Sequence, residues 1–210
     1  MLARIAQQFN SSTQGYEISK QVIQDLKRQK RFQDVESLGY GEVDVMALGE
    51  LLERLCDDEM RQGSVFLDIG AGTGKACLAA FAVGFKRSIG IEVMPELHAL
   101  AEKTFRTLRG MEGCSDAAER IEFKLGSSLD MISDWEASNV IFLSITLFSD
   151  EDVATIEDIV ETKVKPGAHV LSTTRKLKCR NLALDQSLPL RLVKGVLTVY
   201  CYRVVNPDDL

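Results

Sequence analysis

The segment from Phe66 to Lys75 reads FLDIGAGTGK, and it places a carboxylate, Asp68, two residues before the first of three alternating glycines. Glycine allows left-handed backbone dihedrals and close approach to a ligand, and a helix that begins after such a turn presents free N–H groups. A second acid, Glu92, ends the next predicted strand, where a carboxylate can bind a pair of ribose hydroxyls. This spacing predicts a site for a nucleoside-containing ligand at the ends of two neighbouring strands.

Two classes of nucleoside cofactor use such a site, and the residue spacing and charge distinguish them. A dinucleotide fingerprint has the spacing G-x-G-x-x-G, with a small third residue where its helix packs closely. Here the spacing is G-x-G-x-G, and Lys75 occupies the position of that third small residue. The Asp68 carboxylate would repel a pyrophosphate, but it would attract an ammonium or a sulfonium. The sequence therefore favours S-adenosylmethionine over NAD, and an NAD(P) oxidoreductase is the weaker alternative.

Strands and helices alternate through most of the chain, which is typical of a parallel sheet with right-handed crossovers. Apolar runs predict strands at 64–69, 88–93, 120–125, 139–145 and 168–173. Helical periodicity predicts helices at 74–83, 95–108 and 150–163. Two further strand-like runs, 190–193 and 197–204, are joined by Lys194-Gly195 and predict an antiparallel hairpin. The expected fold is α/β, with a Rossmann-like, mostly parallel seven-stranded sheet and a C-terminal antiparallel hairpin.

The first 60 residues have a helical pattern instead. Ile18, Val22, Ile23 and Leu26 fall on one helical face, and a second amphipathic helix is predicted at 44–59. The segment 38–44 contains two glycines and predicts a loop between these helices. We therefore expect a helical extension over 1–60 and the sheet domain over 61–210.

Composition excludes several classes of protein. The 31 acidic and 25 basic residues give a net charge of −6, which argues against a nucleic-acid footprint over the whole surface but leaves local basic clusters at 27–31 and 175–180. The five cysteines show no C-x-x-C pair, and no metal-binding cluster is visible, so neither a disulfide framework nor a metal site is predicted. No apolar run approaches the roughly 18 residues of a membrane span. We expect a cytoplasmic or nuclear protein without a membrane partner.

Over roughly residues 63–204, the chain resembles the class I methyltransferases. In that family the acid before the glycines orients the methionine end of S-adenosylmethionine, and the acid after the second strand binds its ribose. Asp68 and Glu92 match those two positions. The resemblance thus implies that the cofactor turn contains Gly70, Gly72, Gly74 and Lys75.

Shorter motifs resemble a narrower family, the non-SET histone lysine methyltransferases named for disruption of telomeric silencing. That family has a Tyr-Gly-Glu loop that covers the cofactor, which matches Tyr40, Gly41 and Glu42. Its fourth strand ends in Asn-Asn-Phe-Ala-Phe, whose last aromatic matches Phe148, and its late hairpin carries aromatics that line a lysine channel. The resemblance implies that Phe148 and the hairpin residues Tyr200 and Tyr202 form such a channel here.

The chain departs from this narrower family at two motifs. Ser144 and Ile145 replace the two asparagines of the fourth-strand motif, so Ser144 is the candidate catalytic residue there. Ser127 and Ser128 replace the acid and the aromatic of the family's Gly-Asp-Phe-Leu adenine motif. We expect adenine to be held by backbone groups and by one of these serines.

The resemblance implies an S-adenosylmethionine-dependent methyltransferase whose acceptor is a protein lysine, as in the histone enzymes. An apolar aromatic channel would lower the pKa of the lysine amine by desolvation, which methyl transfer requires. The Asn/Asp-Pro-Pro-Tyr/Phe motif of enzymes that methylate planar amino groups is absent after the fourth strand, which argues against an adenine or glutamine acceptor. A small-molecule methyltransferase and a non-catalytic cofactor-binding or partner-binding protein are the alternatives.

Overall fold

The computed structural model describes residues 1–12, 14–28, 41–146 and 148–206, and they contain one seven-stranded sheet in the order β3-β2-β1-β4-β5-β7-β6. The strands are β1 (Val65–Ile69), β2 (Arg87–Glu92), β3 (Ile121–Leu125), β4 (Val140–Leu143), β5 (His169–Thr173), β6 (Leu182–Arg191) and β7 (Val196–Val204). The first five strands pair in parallel, and β7 lies antiparallel to both β5 and β6. The predicted α/β fold with its C-terminal antiparallel hairpin is confirmed.

Helices cover both faces of the sheet. They are α1 (Leu2–Phe9), α2 (Gln14–Arg28), α3 (Val45–Leu55), α4 (Asp58–Gly63), α5 (Lys75–Ala82), α6 (Pro95–Arg109), α7 (Ala117–Arg120), α8 (Ile132–Ala137) and α9 (Asp150–Lys163). The single helix predicted at 44–59 is wrong, because Cys56 is extended and Asp57 begins a new helix by accepting a hydrogen bond from Met60 N at 2.8 Å. An aspartate at this position caps a helix start, so it interrupts the apolar periodicity.

Buried strands at the centre of the sheet explain why the sequence predicted them well. All four residues of β4 and the last four of β1 are buried, as expected for parallel strands covered on both faces. Strand β1 pairs with β2 on one side and with β4 on the other. The order of the strands therefore reverses between β1 and β4, which leaves a crevice at their carboxyl ends.

The aromatic ring of Phe123 fixes how closely α5 approaches the sheet. A Cβ atom built on Gly74 would lie 2.5 Å from Phe123 Cζ, and one built on Gly90 would lie 2.7 Å from Phe123 Cδ1. Gly74 also has a φ of +83°, which disfavours any residue with a side chain. The third glycine of the loop is thus required for packing and for the turn into α5.

The N-terminal extension shares the main core with the sheet. Ile5 and Phe9 of α1 are buried in the same cluster as Leu48 of α3 and Phe81 of α5. Asn10 Oδ1 accepts a hydrogen bond from Val45 N at 3.0 Å, which ties the end of α1 to the start of α3. Residues 1–12 are therefore packed against the part of the chain that forms the crevice.

Candidate functional site

A cavity of about 480 Å³ occupies the crevice at the carboxyl ends of β1, β2 and β4. Its volume is in the range of small-molecule sites, and its position is where α/β sheets bind ligands. The predicted site residues that line it are Gly41, Glu42, Asp68, Gly70, Gly72, Lys75, Glu92, Ser127, Ser128, Ser144 and Phe148. Gly74, Tyr200 and Tyr202 are not part of its lining, and Tyr40 lies outside the described residues.

The glycine loop is held between the ends of β2 and β4. Gly70 and Gly72 have φ angles of +76° and +54°. Gly70 N and Ala71 N both donate to Ile91 O at 3.0 Å, and Ser144 N donates to Ile69 O at 3.0 Å. A Cβ atom on Gly70 would lie 3.0 Å from Ser144 O, so only glycine fits this turn without a shift. The loop backbone consequently forms one wall of the cavity.

Asp68 is a buried carboxyl group that faces the cavity. It is 1% exposed. Burial, followed by the neighbouring Glu92 carboxylate, raises the pKa of Asp68 to about 8. Cys77 Sγ lies 3.9 Å from Asp68 Oδ2, and its weak hydrogen bond lowers the pKa of Asp68. A ligand cation placed beside Asp68 would relieve the cost of ionising it.

Glu92 joins the glycine loop to the segment that follows β2. Its Oε2 accepts a hydrogen bond from Gly72 N at 2.7 Å, and its Oε1 accepts one from Met94 N at 2.9 Å. Burial raises the pKa of Glu92 in spite of these donors, which lower it. Since a carboxylate can accept about four hydrogen bonds, Glu92 retains the capacity to accept from ribose hydroxyls.

A buried ion pair links the glycine loop to the N-terminal extension. Lys75 Nζ contacts Glu42 Oε2, and the two side chains are only 4% and 3% exposed. Lys75 Nζ also donates to Ser12 O at 3.0 Å, and Glu42 N donates to Tyr16 OH at 3.2 Å. Three separate parts of the N-terminal extension therefore meet around the Lys75–Glu42 ion pair, at one end of the cavity.

The end of the cavity away from this ion pair can accommodate a planar group whose two faces are apolar. Val93, Met94 and Leu97 line it beside Ser127 and Ser128. Ser127 Oγ accepts a hydrogen bond from Leu129 N at 3.2 Å, so this serine first stabilises its own turn. The two serines replace the family's acid and aromatic, and the adenine contacts predicted for them remain a prediction.

A third region of the cavity lies beyond β4 and β5, where sequence reasoning identified only Ser144 and Phe148. Asp152 and Thr174 also line this region, and Thr146 Oγ1 lies 3.3 Å from Thr174 Oγ1. Thr174 has a φ of +63°, which is rare for a β-branched residue and is typical of functional sites. No local sequence signal marks this conformation. The only available signal was the position of Thr174 just after a predicted parallel strand.

Tyr200 and Tyr202 are not among the residues that line the cavity, and their lysine-channel role stays a prediction. Alternate residues of β7 face opposite sides of the sheet, and Leu197 lines the cavity. Tyr202 faces the other side, where it is 4% exposed and accepts a hydrogen bond from Leu177 N at 3.1 Å. Tyr200 lies under Lys176, whose Nζ is 5.6 Å from the ring centroid. Both rings thus pack between β7 and the segment after β5.

The basic cluster at 175–180 is largely paired with acids of α9. Arg175 Nη1 lies 2.8 Å from Asp150 Oδ1, and Arg180 Nη2 lies 3.3 Å from Glu161 Oε2. These pairs reduce the positive field that a phosphate backbone would meet there. The other cluster, 27–31, lies partly outside the described residues.

The lining residues fit S-adenosylmethionine, the cofactor that the sequence favours. Asp68 could pair with its cationic amino-acid and sulfonium groups, Glu92 could accept hydrogen bonds from its ribose, and the apolar region could hold its adenine. Within the described ranges, no group of three or more His, Cys, Asp or Glu side chains is arranged to hold a metal ion. No helix among those residues is both long and apolar enough to cross a membrane.

Comparison with known families gives one match that covers most of the chain. The family model described as "Histone methylation protein DOT1" matches residues 17–190. No curated protein sequence matches the chain significantly.

Solved structures with the same fold are numerous but distant in sequence. An RNA methyltransferase from Salinibacter ruber in complex with S-adenosyl-L-homocysteine is 21% identical, with a TM-score of 0.57 over 76% of this chain and 91% of that chain. A putative RNA methyltransferase from Pyrococcus horikoshii is 13% identical, with a TM-score of 0.55 over 80% and 88%. A putative O-methyltransferase from Klebsiella pneumoniae is 12% identical, with a TM-score of 0.55 over 76% and 79%. At these identities the likeness establishes the fold.

The buried position of Asp68 predicts that binding of an adenosyl ligand depends on pH. Below pH 8 the free carboxyl is mostly protonated, and an ammonium group can pair with it only after the proton leaves. The affinity for S-adenosylhomocysteine should therefore rise by up to about tenfold per pH unit between pH 6 and pH 8, with release of a proton. Titration calorimetry in buffers of different ionisation enthalpy measures both quantities.

The matched control for this titration is Asp68→Asn, which keeps the shape of the side chain and removes its ionisation. This variant should bind more weakly than the wild type at pH 8, and its affinity should no longer rise over the same pH range. An affinity of the wild-type protein that is independent of pH, without proton release, would contradict the assigned role of Asp68.

Proposed function

Because this chain belongs to the DOT1 histone methylation protein family, we propose that it transfers a methyl group from S-adenosylmethionine to the side-chain amine of a protein lysine. The family and the fold make it an S-adenosylmethionine-dependent methyltransferase. The lysine acceptor is the proposed part, and the charge of the cavity is the observation that supports it.

Acidic groups dominate the charged lining of the cavity. The charged residues among its described lining are Glu42, Asp68, Lys75, Glu92 and Asp152. The single cation in this set, Lys75, is already paired with Glu42. Asp68 and Glu92 are assigned to the cofactor, so Asp152 is the acid of this lining that remains for the acceptor, and its charge favours a cationic acceptor, such as a protonated amine, over the phosphates of a nucleic acid.

We call the third region of the cavity, lined by Ser144, Thr146, Phe148, Asp152 and Thr174, the acceptor region. It supplies the groups that a lysine would need. When bound, S-adenosylmethionine supplies an activated methyl group on its sulfonium. The ring of Phe148 and the apolar side chains of Leu192 and Leu197 desolvate an incoming amine, which favours its neutral, nucleophilic form. The hydroxyls of Thr146 and Thr174 can accept hydrogen bonds from the amine N–H groups and thereby orient its lone pair. The chain then contributes mainly alignment and exclusion of water.

One observation favours a second candidate, a small-molecule methyltransferase. Ser19 of α2 and the segment Gly41–Val43 line the cavity, so the N-terminal extension covers part of it. A covered cavity admits a small acceptor more readily than a folded protein. A flexible protein tail that presents one lysine satisfies the same constraint.

Transfer of labelled methyl groups to a cell extract tests the proposed acceptor. With the purified protein and methyl-labelled S-adenosylmethionine, label should appear in the protein fraction and should be recovered as methyl-lysine after acid hydrolysis. Asp68→Asn should abolish the labelling at neutral pH. Label recovered only in RNA, or only in the small-molecule fraction, would contradict the lysine proposal and leave the methyltransferase assignment in place.

The strained residue Thr174 provides a test of the acceptor region. Glycine adopts positive φ without strain, so Thr174→Gly should leave the free energy of unfolding unchanged or raise it by about 1 kcal/mol. The same substitution removes a hydroxyl from the acceptor region and should raise KM for the acceptor about tenfold. Urea denaturation and steady-state kinetics measure the two effects.

Thr174→Ser is the matched variant, because it keeps the hydroxyl and should keep KM near the wild-type value. If the glycine variant has the wild-type KM for the acceptor, Thr174 has no role in acceptor binding.

A further inference from the structure

Two residues that line the cavity each carry a buried hydroxyl group that has no hydrogen-bond partner among the described residues. Ser19 Oγ and Thr73 Oγ1 are both inaccessible to solvent, and neither makes a hydrogen bond within the described part of the chain. The two residues are 1% and 5% exposed, and both line the cavity. An unsatisfied buried hydroxyl costs about 1–3 kcal/mol, and folded proteins retain few of them. A ligand that fills the cavity can supply the missing acceptors.

Both residues lie close in sequence to groups that surround the Lys75–Glu42 ion pair. Thr73 lies two residues before Lys75, in the glycine loop. Ser19 lies three residues after Tyr16 on α2, so the two share a helix face. Tyr16 OH accepts a hydrogen bond from Glu42 N, which brings that face to the ion pair. Helix α2 and the glycine loop therefore approach the same end of the cavity from opposite sides.

This end of the cavity is where the amino-acid part of the cofactor belongs. Asp68, the partner for its ammonium, opens the same loop that contains Thr73 and precedes Lys75. The carboxylate of an amino acid is attached to the same carbon as its ammonium, so it must lie within a few ångström of Asp68. A carboxylate is an acceptor without donors when ionised, and it requires O–H or N–H groups around it.

We propose that Ser19 and Thr73 donate hydrogen bonds to the amino-acid carboxylate of S-adenosylmethionine, so that helix α2 forms part of the cofactor site. The proposal rests on the cofactor assignment, and it adds one residue, Ser19, from outside the sheet domain. The two hydroxyls satisfy the carboxylate without displacing Lys75 from Glu42, while the charge of Lys75 offsets the negative charge that the ligand brings. Ser19 lies outside the motifs by which the cofactor site was predicted, and Thr73 lies within the glycine-loop motif but was not among the residues predicted to bind the cofactor.

A pair of ligands that differ only at the amino-acid end tests this proposal. S-adenosylhomocysteine carries the carboxylate, and 5′-deoxy-5′-methylthioadenosine lacks the whole amino-acid group. By calorimetry, Ser19→Ala and Thr73→Val should each weaken the binding of S-adenosylhomocysteine about tenfold, as expected for the loss of one hydrogen bond to a charged group. The affinity for methylthioadenosine should stay at the wild-type value. Thr73→Ser, which keeps the hydroxyl, should bind both ligands as the wild type does.

Ser88 provides the matched control. Its hydroxyl is also buried and unpartnered among the described residues, but Ser88 lies in β2 and does not line the cavity. Ser88→Ala should therefore leave the affinity for both ligands unchanged. The melting temperature of ligand-free Ser19→Ala should be equal to or above that of the wild type, because the substitution removes an unsatisfied hydroxyl.

Three outcomes would overturn the proposal. Ser19→Ala and Thr73→Val could bind S-adenosylhomocysteine as tightly as the wild type, which would mean that the hydroxyls serve no ligand. They could lose affinity for both ligands equally, which would indicate a general effect on the cavity. If the wild-type protein bound neither adenosyl ligand, the cofactor assignment itself would fail together with the proposal.

Discussion

Two carboxyl groups buried side by side at the ends of adjacent strands determine the chemistry of this protein. Asp68 follows the apolar residues of β1, and Glu92 ends β2. Burial raises the pKa of both groups, and the Glu92 carboxylate raises the pKa of Asp68 as well. Among the described residues, backbone N–H groups donate hydrogen bonds to Glu92, whereas the donor to Asp68 is the weak thiol of Cys77. A cationic ligand is the natural partner of such a group, and S-adenosylmethionine provides one.

The N-terminal extension depends on the same end of the sheet. The Lys75 cation begins α5 directly after the glycine loop, and in the described part of the chain its buried charge is compensated by Glu42 and Ser12. Breaking a buried pair by removing one partner is strongly destabilising, so the extension and the loop are expected to hold their positions together. The Gly41–Val43 segment is in turn fixed to the hairpin, because Val193 N donates to Glu42 O at 2.8 Å and Val43 forms a bridge with Leu192. The backbone contacts between this segment and the hairpin therefore connect the cofactor region of the cavity to the acceptor region.

Features with a local cause could be predicted from the sequence, and features that depend on distant residues could not. Strand β4 is a continuous apolar run, β1 is apolar except for Asp68, and Glu92 ends β2. Strand β6 was predicted to begin at 190 but begins at Leu182, because an edge strand with a charge, a proline and a bulge lacks an apolar run.

The features of the site that the sequence did not predict have the same origin. Gly74 has a packing role that depends on Phe123, a residue of β3, while its cofactor role stays a prediction. The orientation of Tyr202 follows from the register of β7 against β5, which no motif contains. Ser19 was missed because its helix approaches the cavity only in the folded chain.

The central claim is that the cofactor cavity is built jointly by the glycine loop and the N-terminal extension. Hydrogen–deuterium exchange with and without S-adenosylhomocysteine tests it on the unmodified protein. We expect the ligand to slow exchange in the peptides that contain Gly70 and Glu92, and equally in those that contain Ser19 and Glu42. Protection confined to the first pair of segments, with unchanged exchange across the extension, would contradict the account.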